Sequence, residues 1–194
     1  MRYSDAFRMP VAMDLKGRTS SVTNAYVLGV IPYIEPTENE IKQVLDVLEM
    51  TPDKMHCAYC GGHYGSWDHF RPVVKDKKPT GYVSEIWNLI PSCTACNSSK
   101  GNKEWRKWIT GTASKSPMNR NPDGLEERIK RIERYEQFTK DRCSHFVFED
   151  IVGKERWQAY WKNHEALLNE MRQSQKLSDE IKSDVARHIR NSKK

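Results

Sequence analysis

Two CxxC pairs, Cys57-Ala58-Tyr59-Cys60 and Cys93-Thr94-Ala95-Cys96, enclose Asp68, His69 and Asn88, and Asn97 follows the second pair directly. Four thiolates in two close pairs suit a tetrahedral ion that prefers sulfur, and a zinc ion with four sulfur ligands keeps no open position for a substrate. Cys57, Cys60, Cys93 and Cys96 are therefore expected to hold a structural Zn2+ that folds the segment without doing its chemistry. Paired CxxC spacing in a chain that begins without a secretory signal favours metal over disulfides. The gap between the pairs is long for a simple zinc ribbon, so the excursion between them must carry something else.

What it carries is the chemistry of phosphodiester hydrolysis. That reaction needs a base to activate water and a cation to stabilise the charge that builds on phosphorus and on the leaving oxygen. His69 has the ordinary pKa of a neutral-pH base. Asp68 and Asn97 are oxygen donors suited to Mg2+, for which Mn2+ may substitute. Neighbouring residues on a strand face opposite ways, so Asp68 and His69 serve one site only where the strand bends or ends.

These residues resemble the HNH nuclease motif, also known as the ββα-metal fold, here in an H-N-N form. Asp68-His69 is followed nineteen residues later by Asn88 and nine after that by Asn97, with Lys100-Gly101 closing the run. The resemblance spans roughly Cys57 to Lys103. It implies that Asp68 and Asn97 bind the catalytic ion, that His69 is the general base, and that Asn88 braces the loop holding that base. It also implies products with 5′-phosphate and 3′-hydroxyl ends. Many members of the family have histidine in place of Asn97; the all-oxygen pair here favours Mg2+ or Mn2+.

Around the motif the chain is basic. The 194 residues carry a formal charge of +6, and Arg71 to Lys107 holds eight Lys or Arg against three carboxylates. Such a patch attracts phosphates through counterion release. Arg71 and Lys100 are expected to clamp phosphates beside the cut, with Lys103 as a further nucleic-acid contact. His56 and His63 flank the sulfur clip and read as surface or phosphate contacts, since four cysteines already satisfy zinc. Cys143 lies outside the clip and reads as a small buried hydrophobe.

The elements that must position this centre follow from pattern. Ala25 to Ile34 is an apolar run broken by Gly29 and Pro32, read as a short strand or buried extended segment. Thr37 to Glu40 has the form of a capping box, with Ile41, Val44, Leu45 and Leu48 on one helical face. A helix starts near Asp123 and shows Leu125, Ile129, Ile132 and Tyr135 on one side. The stripe from Trp157 to Met171 reads as core or a dimer face. The last stretch, with Ile181, Val185 and Ile189, reads as a solvated terminal helix or a basic helix on DNA.

The fold class that follows is α+β: a small ββα-metal core stapled by zinc and surrounded by additional α-helices. Its expected parts are an N-terminal segment over 1–52, the nuclease core over 53–110 and a helical region over 111–194, forming one compact unit. No apolar run is long enough to span a membrane, and the N-terminus lacks the apolar core of a secretory signal, so a cytoplasmic chain without a membrane partner is expected. In role, the size fits a sequence-specific type II restriction endonuclease acting on double-stranded DNA as a homodimer. A phage or mobile-element nicking or homing enzyme is the alternative, as is a zinc-stabilised DNA-binding module without turnover.

Overall fold

The computed structural model describes residues 2–11, 13–120 and 123–192. In chain order its helices and strands are α1 (Tyr3–Ala6), α2 (Thr19–Leu28), α3 (Glu38–Val47), β1 (Ser66–His69), β2 (Val74–Lys75), β3 (Lys78–Pro79), β4 (Leu89–Ser92), α4 (Thr94–Lys100), α5 (Trp105–Ile109), α6 (Pro117–Arg120), α7 (Leu125–Thr139), α8 (Phe148–Val152) and α9 (Lys154–Ser192). The chain divides into two compact units, one made of Met1–Tyr26 with Val152–Lys194 and the other of Val27–Ile151. The expected α+β class is what the structure shows, with two small antiparallel sheets, β1 with β4 and β2 with β3, among many helices.

In the unit of residues 27–151, local chemistry sets the boundaries. The Thr37 hydroxyl accepts from the Glu40 amide at 3.3 Å while the Glu40 carboxylate accepts from the Thr37 amide at 2.7 Å, so two orphan donors at the start of α3 are satisfied at once. Val44, Leu45 and Leu48 then turn inward. Past the end of α3, Glu49 takes a positive φ of 56°, and the Met50 amide reaches back to Leu45 O at 2.9 Å. A non-glycine residue pays for that conformation, and here the Glu49 carboxylate is compensated by Arg131 Nε at 3.0 Å and by Arg134, both on α7.

β1 and β4 pair with Ser66 opposite Ser92 and His69 opposite Leu89, and α4 follows β4 directly. This ββα arrangement sits on a core formed by Phe70, Ile86, Ile90, Trp105, Trp108, Ile132 and Tyr135, in which the clip cysteines take part. The expected α7 face is present, with Leu125, Ile132 and Tyr135 buried and Ile129 packed at the edge. Tyr135 also donates its hydroxyl to Leu89 O at 2.8 Å, which ties α7 to β4.

The expectation of an extended segment from Ala25 needs correction, because the chain is helical through Leu28. Only Tyr33 bridges another extended segment, pairing parallel with Ser84. The helix is the better solution because it places Thr23 and Tyr26 on one side, where Thr23 Oγ1 meets His164 Nε2 at 3.1 Å and the Tyr26 ring packs on Tyr160 and His164. Those partners belong to the stripe of α9 expected as core or interface, of which Trp161 and His164 are buried. Farther along α9, Ile181, Val185 and Ile189 are about half exposed, as on a solvated helix. Among the described residues no helix is long and apolar enough to cross a membrane.

Burial ranks the apolar positions for experiment. Ile132→Ala should lower unfolding free energy by about 2–5 kcal/mol, whereas Ile181→Ala should change it by less than about 0.5 kcal/mol. Urea denaturation followed by tryptophan fluorescence compares the two, and equal midpoints would contradict the assigned core.

Candidate metal-dependent active site

The two CxxC pairs are shaped by different local structures. At the first, the Gly61 amide donates to Cys57 O and the Cys57 amide to Gly62 O, both at 2.8 Å, and Gly61 takes a φ of 72° to close the turn. At the second, Cys93 caps α4, its sulfur accepting from the Cys96 amide at 3.4 Å. All four Sγ atoms lie within 4.8 Å of one another, and Cys60 and Cys93 meet at 3.8 Å. A tetrahedron with Zn–S bonds of about 2.3 Å has S···S edges of about 3.8 Å, so the set could hold zinc. Hydrogen bonding between the two sulfurs pushes the Cys57 thiol up to about 11 and draws Cys60 down. His56 and His63 pair through a β-bridge and are outside the sulfur cluster.

β1 carries Asp68 and His69 and ends at His69. Asp68 is buried, and its Oδ2 accepts from the Tyr59 hydroxyl at 2.8 Å and lies 3.0 Å from Lys100 Nζ. Burial raises the Asp68 pKa and lowers that of Lys100, each opposed by the charge of the other. Asn97 reaches β1 from α4, its Nδ2 lying 3.4 Å from Ser66 Oγ. Ser66 and Asp68 are two residues apart on the strand and share a face, so Asp68 and Asn97 lie on one side of β1. His69 takes the other direction, with Nε2 2.7 Å from Ser84 Oγ. Burial also lowers the His69 pKa, with Asp68 opposing and Lys100 reinforcing the shift.

Asn88 is fully buried and works on the backbone. Its Oδ1 accepts from the Arg71 amide at 2.8 Å, and its Nδ2 donates to Arg71 O at 3.1 Å and Val83 O at 3.3 Å. One side chain thereby ties together both ends of the excursion that separates His69 from β4. The Phe70 amide adds a bond to Asn88 O at 2.8 Å.

Two expected phosphate contacts have other tasks. Lys100 has no exposed surface, and its ammonium is taken up by Asp68 and by His69 O at 2.8 Å. Arg71 spans from the excursion to α7, donating to Thr139 Oγ1 at 3.1 Å and to Glu136 O at 3.3 Å. Lys100, with no exposed surface, is closed to a phosphate, whereas Arg71 is half-buried and lines an open cleft with Lys75 and Tyr82. Lys103 remains exposed, with its ammonium on Ser99 O at 2.7 Å.

Sequence reasoning missed Tyr59, Ser84 and Arg120. Tyr59 sits inside the first CxxC pair and carries a buried hydroxyl to Asp68. A residue at the variable position of that motif offers no signal in the sequence. Ser84 lies in a turn-like run with nothing to distinguish it from neighbouring polar residues. Arg120 belongs to the downstream helical region, and its Nη2 lies 2.8 Å from Cys96 Sγ.

No protein-family model matches the chain, and no solved structure matches it. Over 137 residues, 69% of its length, the chain is 26% identical to the CRISPR-associated endonuclease Cas9 of Corynebacterium diphtheriae, and the match covers 12% of that protein. The chain is thus similar to a small part of an endonuclease. Together with a four-cysteine cluster, that similarity fits the HNH zinc-clip family at the general level of a nuclease.

Two substitutions separate the roles of sulfur and charge. Cys57→Ser should abolish stoichiometric zinc, measured by elemental analysis, and lower the thermal midpoint, because a structural zinc contributes directly to folding. Lys100→Met should cost about 3–5 kcal/mol in urea denaturation by leaving Asp68 buried without its cation. An unchanged midpoint for Lys100→Met would contradict a buried ion pair.

Proposed function

We propose that this chain is an HNH-type endonuclease that hydrolyses phosphodiester bonds of double-stranded DNA with a divalent metal. In its finer role we propose a sequence-specific type II restriction endonuclease, working as a homodimer and leaving 5′-phosphate and 3′-hydroxyl ends. The observation that supports the nuclease reading is the arrangement on β1: Asp68 and Asn97 share one side of the strand, and His69, which turns the other way, stands at its end with one ring nitrogen on Ser84.

Asp68 and Asn97 are the residues that would hold Mg2+ or Mn2+, and their oxygen donors fit that ion. When bound, the ion supplies charge stabilisation at the phosphoryl oxygens and the leaving oxygen. The Ser84 hydroxyl at Nε2 leaves Nδ1 of His69 to take a proton from water. A lowered pKa keeps the imidazole neutral and ready to accept that proton. Lys100 favours the carboxylate form of Asp68, and Asn88 holds the backbone on both sides of the excursion. Exposed Lys75, Lys77, Lys103 and Lys107 are the side chains available to attract a polyanion.

The test is cleavage of unmodified plasmid and phage DNA by the purified chain with Mg2+ or EDTA, beside His69→Ala. Removing the base should slow cleavage by about 100-fold or more, and EDTA should abolish it. Discrete double-strand breaks at one short sequence support the restriction role. Nicks or rare cuts would replace it with the mobile-element role, and absence of metal-dependent cleavage would overturn the nuclease reading.

A further inference from the structure

The clip has a neighbour that neither the motif nor the proposed chemistry requires. Zinc with four thiolates carries a net charge of −2, and a cluster of that kind is stabilised by hydrogen bonds and cations around its sulfurs. Arg120, at the end of α6, lies with Nη2 2.8 Å from Cys96 Sγ and 3.7 Å from Cys93 Sγ. Both sulfurs belong to the second pair, which is also the pair that starts the helix bearing Asn97 and Lys100.

The guanidinium is delivered by a segment that holds its own shape. Ser116 and Pro117 are buried, and Ser116 Oγ donates to Gly111 O at 2.8 Å. Asn119 Nδ2 lies 3.0 Å from both Gly111 O and Ala113 O. Eight residues beyond Arg120, Arg128 holds the first pair through its backbone, with Nε donating to Tyr59 O at 3.0 Å and Nη1 to Asp123 O at 2.6 Å. The same stretch of chain therefore reaches both halves of the clip, one half by a carbonyl and the other by its sulfurs.

We propose that Arg120 is an outer-sphere partner of the zinc clip, a positioning residue whose N–H bonds offset the charge on Cys93 and Cys96 and shield those two sulfurs from electrophiles. A thiolate that accepts a charge-assisted hydrogen bond has less electron density to give an incoming reagent, and its bond to the metal exchanges more slowly. The inference rests on the reading of the four cysteines as a zinc site.

The experiment uses the full, zinc-loaded chain. Zinc transfer to a chromogenic chelator and alkylation by N-ethylmaleimide, mapped by mass spectrometry, are compared for wild type, Arg120→Gln, Arg120→Lys and Lys115→Gln. Lys115 is exposed in the same loop, so its variant removes an equal charge and serves as control. Arg120→Gln should release zinc about tenfold faster or more, with the faster alkylation confined to Cys93 and Cys96. Arg120→Lys should fall between it and wild type, and it carries the test alone if Arg120→Gln does not fold. Release no faster than in Lys115→Gln would overturn the inference, as would acceleration spread equally over all four cysteines. Wild type that contains no zinc would overturn the zinc reading itself, whereas zinc-containing wild type with unaltered Arg120 variants would sink only the role of Arg120.

Discussion

Cys60 and Cys93 are 33 positions apart in the chain, and their sulfurs meet at 3.8 Å. Closing a loop of that length costs conformational entropy that the two-residue and four-residue strands nearby cannot recover alone. A zinc ion, which the four sulfurs could hold, would make the closure favourable, and much of the site geometry is arranged around that cluster. Once the pairs meet, β1 and β4 are brought to opposite ends of the excursion and α4 is started from Cys93. Asp68, His69 and Asn97 are then placed by elements whose ends are pinned within a few residues of sulfur. A small sheet with little core of its own can hold a site in register on these terms.

The second constraint is electrostatic. Asp68 and Lys100 form a buried pair, and burial drives both groups toward their neutral forms, while their mutual attraction opposes that drive and favours the charged forms. Tyr59 and His69 O complete the hydrogen bonds of the pair. This matters for the proposed chemistry because a carboxylate already compensated by a protein cation is ready-formed and oriented. It also means that an arriving metal ion would find Lys100 beside its ligand, and the two cations would repel.

How much of this was legible depends on whether the controlling physics is local. The cysteine spacing was readable because sulfur ligation fixes it, and the Thr37 capping box and the α7 stripe were readable because helix periodicity is a short-range property. Lys100 misled because a cation in a basic run looks solvated, and only the folded structure brings Asp68 to it. Ala25 to Leu28 misled for a related reason. An apolar run suits a buried strand and a buried helix equally, and the choice was made by Tyr160 and His164, more than 130 residues away.

The basic character of the chain divides along a chemical line. Arg71, Arg106, Arg128, Arg131 and Arg134 all direct their forked guanidinium groups to partners within the fold, and Arg120 directs its own to sulfur. Arginine suits this work because its planar fork satisfies two acceptors at once. The lysines at 75, 77, 103 and 107 are left exposed as flexible point charges. Point charges attract a phosphate backbone without reading sequence. Among the arginines, Arg106 and Arg134 keep about half of their side-chain surface exposed while holding carboxylates, so their ion pairs are the weak ones of the set.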